Sequence, residues 1–151
     1  MWYNLIYYTH DNDGIIIKLL AIKVENNWVI MTTTEMLEKI LKDINNIGGV
    51  EASAVASRDG LLICSTISKK QHAETFVAMS ATMIGAAETA TTELGKGVPD
   101  RIIVESKNGK IIGTGAGPKA LLLVMTQPDA GLGLVLIEMV KASEQIKQVL
   151  G

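Results

Sequence analysis

The chain has 151 residues, a formal net charge of -2 and a single cysteine, Cys64. This length suits one domain with its own core, the scattered lysines and small net charge argue against a nucleic-acid partner, and one thiol excludes an intrachain disulfide or cysteine zinc cluster. The longest apolar runs fall far below the roughly 20 residues of a membrane-spanning helix, so we expect a soluble, cytoplasmic protein without direct membrane insertion.

The first thirty residues differ in composition from the rest of the chain. They contain all three tyrosines and both tryptophans, whereas residues 31–151 contain one aromatic residue, Phe76. Two interpretations stay open. Either residues 1–30 are an extension from a mis-assigned start and the domain spans 31–151, or Gly14–Val24 is a strand-forming arm that adds to a sheet edge or to a partner.

Apolar residues at helical spacing predict a first helix from Met36 to Ile47. Thr32 and Glu35 have the spacing of a capping box at its beginning. The pair Gly48-Gly49 is typical of a helix end, because glycine readily adopts the left-handed conformation found there.

Tight-turn signals predict antiparallel strands in the middle of the chain. Asp59-Gly60 and Asn108-Gly109 readily adopt the positive φ angles that tight hairpins require, and Gly117-Pro118 precedes one more strand. The predicted strands are Glu51–Ser57, Leu61–Thr66, Arg101–Ser106, Lys110–Ala116 and Lys119–Thr126.

The side-chain pattern of three strands predicts where they lie in the sheet. Glu51–Ser57 carries small side chains on both faces, which indicates helices packed closely on both sides. Ala120–Met125 is apolar at odd and even positions alike, as in a central strand buried on both faces. In Arg101–Ser106 two charged residues share one face, a trait of edge strands.

A long helix is predicted from Lys69 to Leu94, and its apolar residues do not fit on one stripe. One face, which includes Phe76 and ends at Leu94, is broad enough to cover a sheet. A second face is small and mostly uncharged, which suits close helix–helix packing in a dimer. It contains Ala78, Met79, Thr82, Ala86, Thr89, Ala90 and Glu93.

The closing helix is predicted after Asp129, which is a candidate N-cap. Its apolar stripe begins at Leu132 and ends at Val149. The whole order is therefore helix, hairpin, long helix, three strands, helix, or α-β-β-α-β-β-β-α, an α+β fold.

Residues that usually carry catalysis are scarce, so we predict no catalytic site, no metal and no cofactor. His10 lies in the doubtful extension, and we expect His72 to be solvated in the first turn of a helix. The glycine-rich run Gly113–Gly117 is followed by Pro118 and a strand instead of the helix that a phosphate loop needs. Strand glycines beneath a closely crossing helix explain it better, and Cys64 is expected to be a buried hydrophobe.

From about Thr34 to Leu150 the chain resembles the Roadblock/dynein-light-chain family. The order and spacing of several short segments carry this resemblance. They are Ile47-Gly48-Gly49-Val50 leading into Ala54–Ser57, the hairpin Ser57-Arg58-Asp59-Gly60-Leu61, the helix Phe76–Glu88, the strand Ile102-Ile103-Val104-Glu105 and the closing Leu132-Gly133-Leu134-Val135-Leu136.

The resemblance implies a five-stranded antiparallel sheet with helices on both faces, similar to the profilin and longin folds. It also implies a homodimer, or a heterodimer with a paralogue, in which central helices pack together and middle strands join into one sheet. Residues that match this interface are Ala78, Met79, Thr82, Ala86, Thr89, Arg101, Ile103 and Glu105.

Proteins like this are similar to non-enzymatic regulators that bind the switch regions of Ras-like small GTPases. By this resemblance, a GTPase would dock near the exposed start of the long helix, at Lys69, Lys70, Gln71, Glu74 and Thr75. Ordinary solvation of a helix start explains these five residues equally well. Arg58 is a further candidate contact, although an arginine in a turn is more often simply solvated.

Two other classes of function stay open at this point. One is a structural assembly module without a GTPase, as in motor-complex subunits. The other is a small-molecule sensor with a pocket between sheet and helix, whose lining could include Met79, Met83, Met125 and Met139, although core filling is the more common role of such methionines.

Overall fold

The chain folds as a two-stranded hairpin followed by an α+β domain. The computed structural model of the protein describes residues 19–24 and 27–151, with side chains from Met31 onward. The strands are β1 (Leu19–Val24), β2 (Asn27–Thr32), β3 (Val50–Ser57), β4 (Leu62–Ser65), β5 (Arg101–Ser106), β6 (Gly109–Ala116) and β7 (Ala120–Thr126). The helices are α1 (Thr33–Asn45), α2 (Lys70–Glu93) and α3 (Leu132–Leu150).

Five strands form one antiparallel sheet in the order β4-β3-β7-β6-β5. Strand β7 lies in the middle and is buried along nearly its whole length, and β5 is an edge, so both sequence predictions are confirmed. The predicted five-stranded antiparallel fold, with its order from first helix to last, is confirmed as well.

Strands β1 and β2 form their own two-stranded antiparallel sheet, with Leu19 opposite Thr32 and Val24 opposite Asn27. The predicted strand-forming arm is therefore present over Leu19–Val24, but it pairs with β2 instead of an edge of the large sheet. Residues 14–18 of that arm and His10 lie outside the described residues. The true start at Met31 stays a prediction.

Helices cover both faces of the large sheet. Helices α1 and α3 pack on one face, around Leu41, Val55 and Ile146, and α2 packs on the other, around Val77 and Leu123. Side chains along β3 point alternately to the two faces of the sheet. This strand therefore contributes to both cores, as its small residues on both faces predicted. A large contiguous core on each face is the main source of stability in such a layered domain.

Helix α1 begins with the predicted capping box. The hydroxyl of Thr32 accepts a hydrogen bond from the Glu35 backbone N–H at 3.2 Å, and the Thr32 N–H donates to the Glu35 carboxylate at 2.7 Å. The Thr32 N–H, and then the Thr32 hydroxyl, which also donates to this carboxylate at 3.0 Å, lower the pKa of Glu35, because both stabilise the ionised form.

The predicted beginning of α3 and the predicted role of Leu94 are wrong. Gly131 occupies the N-cap of α3 and no side chain caps the helix, because the chain turns between Gln127 and Ala130 and leaves Asp129 exposed two residues before the cap. Helix α2 ends at Glu93, so Leu94 lies beyond the sheet with 76% of its surface exposed.

Candidate dimerisation and docking surfaces

The side of α2 that faces away from the sheet is a nearly uncharged surface, which we call the outer face of α2. Met79 is 59% exposed, and Thr82, Ala86 and Thr89 are exposed along the same side of the helix. Ala78, at the border of this face, is only half exposed because the Asp59-Gly60 turn lies against it.

The polarity of the outer face of α2 is reduced by hydrogen bonds inside the helix. The hydroxyl of Thr82 donates to the Ala78 carbonyl at 2.9 Å, and that of Thr89 donates to the Gly85 carbonyl at the same distance. Because the donor of each hydroxyl is already satisfied, a neighbouring helix could pack on these threonines without leaving an unpaired donor.

Gly85 adds room for close approach on this side of α2. No atom lies within 4 Å of the position that a Cβ would take at Gly85. Glycine inside a helix costs about 1 kcal/mol relative to alanine. Nothing within the described protomer therefore requires glycine at this position.

The two edges of the large sheet differ in their capacity to add a further strand. Strand β4 has four residues, and a register shift between Val55 and Ala56 interrupts its pairing with β3. Strand β5 has six residues in unbroken register with β6. Short and bulged edges resist strand addition, whereas long regular edges favour it, so β5 is the better site for a further strand.

The side chains of β5 are mostly exposed on both faces of the sheet. Ile103 lies on the face of α3, opposite the fully buried Ile112 of β6, and 36% of its surface is exposed. Arg101 and Glu105 point to the same face as Ile103, by the alternation of a strand. Val104, on the face of α2, is 38% exposed.

The five residues predicted to bind a partner all lie exposed at the beginning of α2. Lys69 is the N-cap, without a side-chain hydrogen bond. The Lys70 ammonium lies 3.7 Å from the Glu74 carboxylate, and the Thr75 hydroxyl donates to the Gln71 carbonyl at 3.0 Å. Gln71 and Thr75 lie on the side of the helix that continues into Thr82 and Ala86, so these two predicted partner-binding residues adjoin the predicted dimer residues of α2, whereas the predicted dimer residues of β5 lie on the other face of the sheet.

Arg58 is neither free for a partner nor simply solvated. Its guanidinium is 2.6 Å from the Glu88 carboxylate of α2 and donates to the Gly117 carbonyl at 3.3 Å. It crosses directly over Gly115, where a Cβ would come within 2.8 Å of Arg58 Nη2. The sequence analysis did not predict the Arg58–Glu88 ion pair. The one sequence feature related to it is Gly115, on the face of β6 that Arg58 crosses.

The glycine-rich strand β6 also passes beneath α2, as predicted. A Cβ at Gly113 would come within 2.7 Å of the Ile84 Cδ1 atom. Gly113 and Gly115 therefore allow side chains from α2 and from the β3–β4 turn to lie directly on the sheet, and the packing accounts for these glycines without a phosphate ligand.

Groups suited to catalysis are dispersed. His72 is exposed, as expected, and Cys64 is buried, where loss of solvation and then the charge of Glu38 raise the pKa of its thiol. Among residues 31–151 no three His, Cys, Asp or Glu side chains are grouped to hold a metal ion. The described helices include none long and apolar enough to cross a membrane.

The four methionines considered for a sensor pocket do not line one cavity. Met79 points away from the sheet, whereas Met139 is buried beneath α3 on the opposite face. Of two open grooves of about 440 and 480 Å³, the smaller has Met139 in its lining and none of the other three methionines, and the larger has none of the four. The larger lies beside α1 and β4 near Asn45 and Cys64, and the smaller lies between α3 and β5.

A family model for the Roadblock/LC7 domain matches residues 36–126. The uncharacterized protein MJ1340 of Methanocaldococcus jannaschii is 35% identical over 112 residues, which cover 74% of this chain and 97% of that protein.

Solved structures share the fold at low sequence identity. A Roadblock/LC7 domain from Streptomyces avermitilis superposes with a TM-score of 0.71 at 17% identity, covering 74% of this chain and 95% of the other. Gliding protein MglB from Thermus thermophilus gives 0.70 at 19%, with coverages of 78% and 90%. Profilin IA of Acanthamoeba castellanii gives 0.52 at 11%, with coverages of 76% and 96%. With its family match, its relative of 35% identity and this sheet-and-helix architecture, the chain belongs to the Roadblock/LC7 domain family.

Proposed function

We propose that the protein is a dimeric, non-enzymatic regulator or scaffold for a Ras-like small GTPase. The observation that carries this proposal is the outer face of α2, which is exposed and nearly uncharged. On the same side of the sheet, Val104 of the edge strand β5 is also exposed. The family resemblance supports the class of partner. Such a partner implies a cytoplasmic location.

The dimer in this proposal joins β5 of one copy to β5 of the other. The unbroken register of β5 and its exposed residues support pairing along this edge. Joining the two sheets brings the two α2 helices side by side on one face, where Met79 and Ala86, which adjoin Met83 on the flank of α2 toward β5, would face their counterparts.

The sequence of β5 favours one register for this pairing. If Ile103 lies on the two-fold axis, Arg101 of each copy lies directly opposite Glu105 of the other, on the same face of the sheet. Opposite charges across a strand pair contribute roughly 0.2–1 kcal/mol each. Shifting the axis to Val104 would instead place Ile103 opposite Glu105 and remove both charge pairs.

In this proposal the GTPase docks on the paired α2 helices and contacts their beginnings at Lys69, Lys70, Gln71, Glu74 and Thr75. The GTPase retains its own catalytic groups. The dimer binds one conformation of the mobile switch loops of the GTPase more tightly than the other conformation. Such differential binding shifts the population of loop conformations without adding catalytic residues.

The test is capture of partners from host lysate on the immobilised full-length chain, with a non-hydrolysable GTP analogue or with GDP. Recovery of a small GTPase in only the GTP-like state, followed by binding of the purified GTPase, is the expected result. The variant Lys69→Glu/Lys70→Glu should weaken binding at least fivefold, because it reverses two charges at the docking site. Lys96→Glu, an exposed change beyond the other end of α2, is the matched control.

The same experiment separates the regulator from a scaffold without a GTPase. Equal recovery of one larger complex with both nucleotides, with no GTPase in it, would contradict the regulator and support an assembly module. Recovery of a second Roadblock/LC7 chain in equal amount would establish a heterodimer in place of the homodimer.

A further inference from the structure

We draw no further inference here: the strongest candidate, the narrow cleft between α2 and strands β5 and β6 that is lined by the buried Ser80 hydroxyl, which has no hydrogen-bond partner among the described residues, opens along the flank of α2 that belongs to the dimer surface already described, and nothing in the structure shows what covers it.

Discussion

The guanidinium of Arg58 and the carboxylate of Glu88 lie 2.6 Å apart, although 30 residues separate them in sequence. The same guanidinium contacts the Gly117 carbonyl. One side chain thus joins the β3–β4 turn to α2 and to the β6–β7 turn. This contact adds to the apolar packing that holds α2 on the sheet.

A double-mutant cycle on Arg58→Ala and Glu88→Ala should therefore show positive coupling. We expect a coupling free energy of about 0.5–1 kcal/mol, the upper part of the range for partly exposed ion pairs. Urea unfolding of the four proteins measures it. Arg58→Lys should recover part of the Glu88 interaction but lose the forked contact to Gly117, because an ammonium lacks the planar guanidinium geometry. Additive effects of the two alanine variants would show that the pair is not coupled.

Gly113→Ala should destabilise the domain by about 1–2 kcal/mol, the usual scale of overpacking in a core. The new methyl group would lie 2.7 Å from Ile84 Cδ1 and 3.2 Å from Leu123 Cδ2, both in the buried layer beneath α2. Gly133→Ala is the control, since no atom lies within 4 Å of its Cβ position, and it should be neutral or slightly stabilising. Equal loss of stability in both variants would contradict close packing over Gly113.

Alkaline pH should weaken the fold through Cys64. Burial raises the pKa of this thiol above its ordinary value of 9.0. As pH rises past that value the unfolded chain loses the thiol proton first, so it binds fewer protons than the folded chain and the free energy of unfolding falls. The contribution is complete below pH 9.0 and disappears as pH rises through the higher folded pKa.

Cys64→Ala provides the comparison, because it removes the titrating group and leaves the lysines unchanged. The stability advantage of the unmodified chain over this variant should shrink over the pH range above 9.0, the ordinary pKa of the thiol. Urea titrations at each pH measure it. A constant difference across this range would mean that the thiol titrates alike in the folded and unfolded chains.

Ala86→Arg should convert the dimer to a monomer. Ala86 is exposed on the outer face of α2, so arginine should cost the isolated protomer little, but in the proposed dimer it would place two like charges between closely packed helices. Sedimentation velocity measures the result. Gln145→Arg, an exposed change on α3, is the control and should remain dimeric. A persistent dimer in the Ala86 variant would place the interface away from α2.

Much of the fold could be predicted from the sequence because its signals are local. Asp59-Gly60 lies within the four-residue connection between β3 and β4, and Asn108-Gly109 lies at the two-residue turn between β5 and β6, where Gly109 is the first residue of β6. The Thr32–Glu35 capping box spans a single helical turn. The central position of β7 followed from its apolar character on both faces. Contacts between distant segments had no such signal, and the Arg58–Glu88 bridge was therefore missed.

The errors at α3 and at Leu94 have a similar cause. Asp129 suits an N-cap by residue type, but the conformation of the preceding turn decides which residue occupies the cap, and that residue is Gly131. Leu94 continues the apolar spacing of α2, but the end of the sheet decides whether a leucine there has anything to cover.

Charge reversal on β5 tests the register of the proposed dimer. Arg101→Glu or Glu105→Arg alone would place like charges opposite each other at both ends of the paired strands, and each should raise the dimer dissociation constant about tenfold, given roughly 0.2–1 kcal/mol for each of two cross-strand pairs. The double variant Arg101→Glu/Glu105→Arg should restore the original constant, because it exchanges the charges and keeps them complementary. Lys107→Glu, one residue beyond β5, should have little effect. If the double variant dimerises no better than the weaker single variant, Ile103 does not lie on the two-fold axis.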